Sequence, residues 1–478
     1  MGGVDIAMSR KTIGIPDNGT GRLPGKQKCL GGLAVFVLVA GLLAGCGPAG
    51  PNDRGRLSQR GYLWQREWTP AVVEAVRHAD QKMDGLVILG AEVHWKGGAP
   101  EIIRSTVSWD ALKSRGKPCA LALRIAPFPG PFTANDAPAL AVKGAGASLL
   151  REARIHGVAV HEFQVDFDCA QKKLAGYRVW LNALRPVVGS VPLVITTLPA
   201  WLDEPEFRRL LDEADGYVLQ VHSVPTEQET GHAALCDPDL ALKWVGKAAK
   251  LGRPFSVALP TYWCLAGYGP SGKLLGVSMD SVQPSWPEGT RVLEFSTGAD
   301  VVAELVRTWQ SKRPKQMKEL LWYRVPVSTD ARNWRWPTLS AVMEGREPAH
   351  RIEPVAEGGN PVDLALTNSG EAEETLDRPV MVIWTEGELV ASDAQPGWTV
   401  QVEKGRAMFL PEPGRRLRLS PGGRRGIGWL RYDTNTKVRC QMAELKKKAP
   451  WFFSRGIGNR RDLLRIGVLW PLGIFFLE

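Results

Sequence analysis

The stretch VHEFQVDFDCAQKKLAGYRVWLNAL, residues 160–184, decides the fold. Its first nine residues read as a strand, because Gln164, Asp166 and Asp168 share one face and Val165 and Phe167 take the other. The remainder reads as a helix to Leu184. A strand that feeds directly into a helix implies a parallel neighbour, since parallel strands need a crossover connection. Working outward, the same unit recurs. Strands are expected over 61–68, 85–95 and 117–126, with helices over 70–82 and 137–156. Thr69 and Pro70 supply an N-cap and a first-turn proline for the helix over 70–82. Further on, strands are expected over 191–198, 216–222, 254–259 and 320–325, with helices near 205–214 and 239–251. Eight such units close into a TIM-like (β/α)8 barrel. An open doubly wound sheet is the alternative, but it would carry a glycine-rich turn after its first strand. Here that strand runs into Glu67-Trp68-Thr69-Pro70.

A long insertion over 260–318 separates the seventh and eighth strands, with a strand-like RVLEF at 291–295 and a helix near 299–312. It is expected to overhang the barrel mouth. From about Arg351 the pattern changes to short strands set apart by Gly, Pro, Asn and Asp. These fall at 362–368, 380–384, 399–402, 407–410, 417–419 and 427–431, the spacing of a small β-sandwich.

The first fifty residues read as an export signal. Lys26 and Lys28 precede an apolar run over 30–43, and then comes Leu43-Ala44-Gly45-Cys46. Small residues before a cysteine fit a lipobox, with cleavage before Cys46 and lipid on its thiol. The run is short for a membrane span, which needs about 20 apolar residues. The expected organisation is a leader over 1–45, a lipidated linker over 46–60, the barrel over 61–350, the sandwich over 351–440 and a basic, apolar tail over 441–478. Gly47 in place of an aspartate favours the outer membrane under enterobacterial-type sorting. The expected location is the bacterial cell envelope, at the periplasmic face of the outer membrane or at the cell surface.

The formal charge is +10, from 60 Lys and Arg against 50 Asp and Glu. The basic residues are scattered, and no basic helix carries interleaved aromatics, so nucleic acid is not an expected partner. Attraction to anionic lipid or cell-wall polymer is the milder reading. The chain has 18 tryptophans, and flat apolar rings of that number suit sugar ligands as well as cores. Seven cysteines are present. Five lie beyond Cys46, with no spacing that reads as a metal site, and no cofactor is called for. Cys236 with Cys264 is the pair to test as a disulfide, with buried free thiols as the equal alternative.

Working residues of such a barrel lie at the C-terminal ends of its strands. Asp166 and Asp168 are costly to bury unless paired, and close like charges push one pKa up, which suits a general acid. A structural ion pair with Arg124 is the plainer reading. Glu67 and Glu92 are the candidates for a second carboxylate. Gln164, Gln220, His222 and Arg124 are candidate orienting or substrate-binding groups. Trp201, Tyr262 and Trp334 follow the fifth, seventh and eighth strands, where aromatics would make a carbohydrate subsite.

At these residues the chain resembles the bacterial domain of unknown function 3142 family. The resemblance rests on YLWQREWTPAV (62–72), FQVDFDCAQKKLAGYRVWL (163–181), ITTLPAWL (195–202), GYVLQVHS (216–223), LWYRVPVSTDARNWRWPTL (321–339) and VDLALTNSG (362–370). It implies a barrel related to glycoside hydrolases with a β-rich tail. The VDFD segment also looks like the aspartate ladder of chitinase-type barrels. Their acid glutamate would stand two residues beyond Asp168, where this chain has Ala170. The resemblance therefore implies that any acid is Asp168 itself or comes from another strand.

The expectation is a lipid-anchored, glycoside-hydrolase-like protein that acts on a poly- or oligosaccharide by carboxylate acid/base chemistry. The rivals are a non-catalytic glycan-binding or envelope-assembly lipoprotein and a scaffold whose mouth is plugged by residues 260–318.

Overall fold

The computed structural model describes residues 56–225, 234–279, 285–414 and 417–443. The leader, Cys46, the start of the linker and most of the tail lie outside the described residues. In chain order the elements are β1 (Ser58–Leu63), α1 (Pro70–Lys82), β2 (Gly85–Lys96), β3 (Ala99–Arg104), α2 (Trp109–Ser114), β4 (Cys119–Ile125), α3 (Ala137–Ile155) and β5 (Val160–Phe167). Then come α4 (Leu174–Val188), β6 (Leu193–Thr197), α5 (Pro205–Leu211), β7 (Gly216–Gln220), α6 (Pro238–Ala249) and β8 (Phe255–Pro260). After β9 (Cys264–Tyr268), β10 (Leu274–Ser278) and β11 (Arg291–Phe295) follow α7 (Ala299–Ser311), β12 (Met317–Tyr323) and α8 (Trp336–Met343).

Hydrogen bonding runs β1-β12-β8-β7-β6-β5-β4-β2, and β1 returns to pair with β2 in parallel. The sheet is closed, so the fold is the (β/α)8 barrel and the open doubly wound alternative falls. Side-chain alternation builds it. Outward residues such as Leu86, Ile88, Leu121, Leu123, Phe163, Val165, Leu219, Val257 and Trp322 join the helices in one large core. Inward ones, Tyr62, Val87, Ala120, Ala122, Val194, Val218, Ala258 and Leu321, make a smaller cluster inside the barrel. The small alanines leave room there for long polar side chains above and below. Helix starts are fixed locally. Asp136 accepts from the Ala139 amide at α3, and Asp237 from the Leu240 amide at α6. Thr69 does stand at the N-cap of α1, but its side chain makes no capping bond.

Two strands are displaced from expectation. The first was expected over 61–68 and lies at Ser58–Leu63. The last was expected over 320–325 and lies at Met317–Tyr323. Both begin in polar sequence that reads as linker, yet Arg60 and Glu319 meet inside the barrel and hold the strand starts together. Strand β3 was not foreseen. It turns back from β2 as an antiparallel hairpin on the outside of the closure.

The insertion after β8 forms a three-stranded sheet, β10-β9-β11, over its own small core of Leu235, Tyr262, Cys264, Ala266, Tyr268, Val277 and Phe295. The five cysteines beyond Cys46 are free, and all but Cys440 are buried, so Cys236 and Cys264 are not bonded.

Beyond the barrel the strands are antiparallel: β13 (Ile352–Glu357), β14 (Val362–Asn368), β15 (Glu374–Thr375), β16 (Val380–Trp384), β17 (Leu389–Ala394), β18 (Trp398–Glu403), β19 (Arg406–Pro411), β20 (Arg418–Leu419), β21 (Arg424–Tyr432) and β22 (Val438–Met442). One sheet runs β13-β14-β21-β17 and the other β18-β19-β16-β22. Their inner faces share one core, with Leu364, Leu366, Ile427 and Leu430 from the first and Val380, Val382, Trp398 and Phe409 from the second. This is the β-sandwich expected from the sequence. It is tied to the barrel side. Arg418 of β20 bonds Glu373 at 2.7 Å and also Glu294 of β11, and its guanidinium lies 4.7 Å from the Trp263 ring.

Candidate active site

The barrel interior is layered. Its lower layer is ionic: Arg60 bonds both Glu319 and Glu162, and Ser256 donates to Glu319 at 2.7 Å. Above it, Tyr62 donates to Gln164 at 2.8 Å, and Gln164 donates to Glu162 at 2.6 Å.

The upper layer opens at the C-terminal ends of the strands. Strand register sets Glu92 of β2 beside Arg124 of β4, and Arg124 beside Asp166 of β5. Thr196 of β6 follows. Arg124 donates through Nη1 to Asp166 at 2.9 Å, and the Thr196 hydroxyl donates to the other Asp166 oxygen at 2.6 Å. Asp168 stands just past the end of β5, with its carboxylate 3.7 Å from Arg124 Nη2. Glu92 is held from the other side. Arg66, in the loop after β1, donates to both of its oxygens at 2.6 and 3.2 Å, and His94 Nε2 lies 2.9 Å from Oε2.

Glu92 reaches this row through a backbone irregularity. Leu89 pairs with Ala122 and Ala91 with Leu123, so Gly90 is an extra residue in β2. Without it, the alternation set by Leu86 and Ile88 would turn Glu92 outward toward the helices. With it, Ala91 and Val93 go to the outer core and Glu92 turns in. Glycine fits this point without crowding, since a Cβ there would lie 2.6 Å from a Leu149 methyl of α3 and one of the two would have to shift.

Electrostatics separates the three carboxylates. Glu92 is buried, which works against its charge, but the bonds from Arg66 and His94 hold its pKa below the usual range. Asp166 is buried and carries a bond on each oxygen. The Asp168 side chain is 25 % exposed. Burial and the neighbouring Asp166 charge push its pKa up to about 6, against the pull of Arg124. Asp168 is thus the carboxyl that exchanges a proton near neutrality.

Opposite this row lies an aromatic wall. The Tyr323 ring makes edge contacts with Tyr62, Trp64 and Tyr262 and stacks on His222 at 5.9 Å. Burial pushes the His222 pKa down to about 4, so its imidazole is neutral. Gln220 ends β7 on the inner face, in register with Ala258.

The structure brings together Asp166, Asp168, Glu92 and Arg124, and sets His222 and Tyr262 in the wall. It does not bring in Gln164, Trp201, Glu67 or Trp334. Gln164 is fully buried and spends its amide on Tyr62 and Glu162, one layer down. Trp201 is 1 % exposed in the outer core. A short 3₁₀ turn tucks it under the helices, and its indole donates to the Cys169 carbonyl. It is therefore packing, not a sugar platform at the mouth. Glu67 is exposed in the loop after β1, and the residue of that loop that reaches inward is its neighbour Arg66. Trp334 is half-buried, packs against the main core, and donates its amide to the Thr261 carbonyl. Arg66, Thr196 and Tyr323 were missed. Thr196 and Tyr323 could have been found from alternation with Val194 and Leu321, whereas Arg66 sits in a loop with no periodic signal.

Residues 115–328 match the family described as Domain of unknown function (DUF3142). This is the family that the sequence resembles, and the match spans the barrel from just before β4 to just past β12. A search of curated proteins finds no match. Among solved structures, the spore cortex-lytic enzyme SleL of Bacillus megaterium is 11% identical with a TM-score of 0.43, over 61% of this chain and 74% of that one. A chitinase from Chromobacterium violaceum is 12% identical with a TM-score of 0.41, over 61% of this chain and 98% of that one. The chitinase ChiA74 of Bacillus thuringiensis is 8% identical with a TM-score of 0.40, over 81% of this chain and 100% of that one.

Proposed function

We propose that the barrel mouth takes a poly- or oligosaccharide and that Asp168 protonates the glycosidic oxygen of the bond to be cleaved. One observation carries this reading. At the open end of β5 a partly exposed carboxyl has a pKa raised to about 6, beside a second carboxylate that an arginine bonds. General acids work best with a pKa near the working pH. The proton passes from the Asp168 carboxyl to the leaving oxygen as the bond to the anomeric carbon breaks, and a water molecule bonds that carbon and returns a proton to Asp168. Arg124 then stands beside the carboxylate that forms. Asp166, fixed by Arg124 and Thr196, holds the arginine in place and keeps the Asp168 pKa high. Glu92 is the second carboxylate of the site, and its charge would favour the cationic sugar centre of the transition state. The aromatic wall of Tyr323, Tyr262 and Trp64 offers apolar surface to a sugar ring.

A second reading, a glycan-binding protein without turnover, is favoured by Ala170. It stands where chitinase-type ladders carry their acid, and the next residue, Gln171, is tied to the Ala200 carbonyl and Glu204. The proposed setting for either reading is the cell envelope, with the chain held by lipid on Cys46.

The deciding experiment is a hydrolysis and binding screen across glycans with the wild-type chain and Asp168→Asn. Turnover in the wild type that falls by about 100-fold or more in the variant supports the acid role. Binding without turnover, equal in both proteins, replaces it with the binding reading. Cys46→Ser tests the anchor, since the variant chain should leave the membrane fraction.

A further inference from the structure

We infer that Arg66 and Glu92 are positioning residues that set how much of the Arg124 guanidinium is left to Asp168. The inference rests on Asp168 as the proton-holding group of the proposed site, and it adds the device that controls that group.

The geometry is a competition for one cation. Arg124 lies in register between Glu92 on one side and Asp166 on the other, and its Nη2 also faces Asp168. Three carboxylates thus border a single guanidinium. A neighbouring strand's inner-face carboxylate would ordinarily turn toward it. Arg66 prevents this by taking both Glu92 oxygens from above, with His94 on one of them. Arg124 bonds Asp166 directly, and its Nη2 lies 3.7 Å from the Asp168 carboxylate. Arg66 reaches in from a loop and its side chain is 32 % exposed, whereas Glu92 is 7 % exposed. The clamp is therefore at the rim and the carboxylate it restrains is inside.

The groups around Asp168, its arginine and Glu92 come from several elements. Asp166 is on its own strand, Arg124 on β4, Glu92 and His94 on β2, and Arg66 in the loop after β1. Cys169 follows it in sequence, Tyr177 comes from α4, and Tyr262 and Tyr323 come from the far wall. Burial raises the pKa of the thiol and of each phenol, so these stay uncharged near neutrality. The charges that act directly on Asp168 are those of Asp166 and Arg124, and Glu92 acts on that arginine.

The test reads the Asp168 titration directly, by carboxyl-carbon NMR of the full chain labelled at aspartate, with Asp168→Asn assigning the signal. Glu92→Gln removes the competing charge, so the Asp168 midpoint should fall by about one pH unit. Arg66→Met releases Glu92 toward Arg124, so the midpoint should rise by a similar amount. The double variant should match Glu92→Gln alone, because Arg66 acts through Glu92. Single-variant midpoints that stay at the wild-type value overturn the inference, as does a double variant whose shift is the sum of the two. Should Glu92→Gln fail to fold, the partly exposed Arg66→Met decides by itself: a rise supports the inference and an unchanged midpoint ends it. The outcome is separable from hydrolysis. Midpoints that move as stated in a chain that cleaves no glycan leave the clamp standing and remove the hydrolase.

Discussion

The two ends of the barrel interior use the same materials to different ends. At the lower end one arginine, Arg60, meets two glutamates, and a serine hydroxyl and the Gln164 amide donate to oxygens that the arginine also bonds. At the upper end two arginines meet three carboxylates, and one of these, Asp168, is left partly exposed with a raised pKa. Both ends bear the cost of burying charge. The lower network is closed by its partners and links strands β1, β5, β8 and β12. The upper network is open toward solvent. What separates scaffold from candidate chemistry here is one carboxyl whose partners are not enough.

The largest effect should come from breaking the closed end. Arg60→Met leaves Glu162 and Glu319 buried without their cation, and urea unfolding should show a loss of about 3–5 kcal/mol. Next comes the open end. With its pKa raised to about 6 in the fold, Asp168 binds a proton more tightly folded than unfolded. The folded state therefore loses stability as pH rises from about 4 to about 6. Asp168→Asn should recover about 1–3 kcal/mol above that range and little below it, so its Tm gain should be present at pH 7.5 and absent at pH 4. Any wild-type turnover should fall as pH rises through about 6, as the acid loses its proton. A change no larger is expected for Thr196→Val. It removes one hydrogen bond to a buried carboxylate, for about 1–3 kcal/mol in the same unfolding measurement. The smallest is Arg418→Ala, which cuts the partly exposed pairs to Glu294 and Glu373. The expected loss is about 1 kcal/mol or less, diminished further by salt.

The sequence alone made the barrel legible because strand alternation and helical runs repeat eight times, and repetition survives errors at single boundaries. Asp166, Asp168 and Arg124 were legible for the same reason, since each sits in or just past a strand with a clear apolar opposite face. Where the local rule was interrupted, reading failed. Trp201 follows a strand, as mouth residues do, but a 3₁₀ turn carries it under the helices. Gln164 shares the aspartates' face, but depth along the strand cannot be read from alternation, and it lies one layer too low. Arg66 acts from a loop whose course depends on where β1 ends, and the polar start of that strand hid its true span. Glu92 was named for a phase that alternation alone does not deliver.

That last point gives the glycine in β2 a wider meaning. Gly90 touches none of the carboxylates, yet it sets the parity of every later residue in the strand. Adding or losing one residue before Glu92 would exchange what the cavity sees for what the helices see, trading a carboxylate for Ala91 or Val93. In this barrel the chemical content of the mouth depends on counting as much as on composition, and a change in length can rewrite it without altering a single side chain.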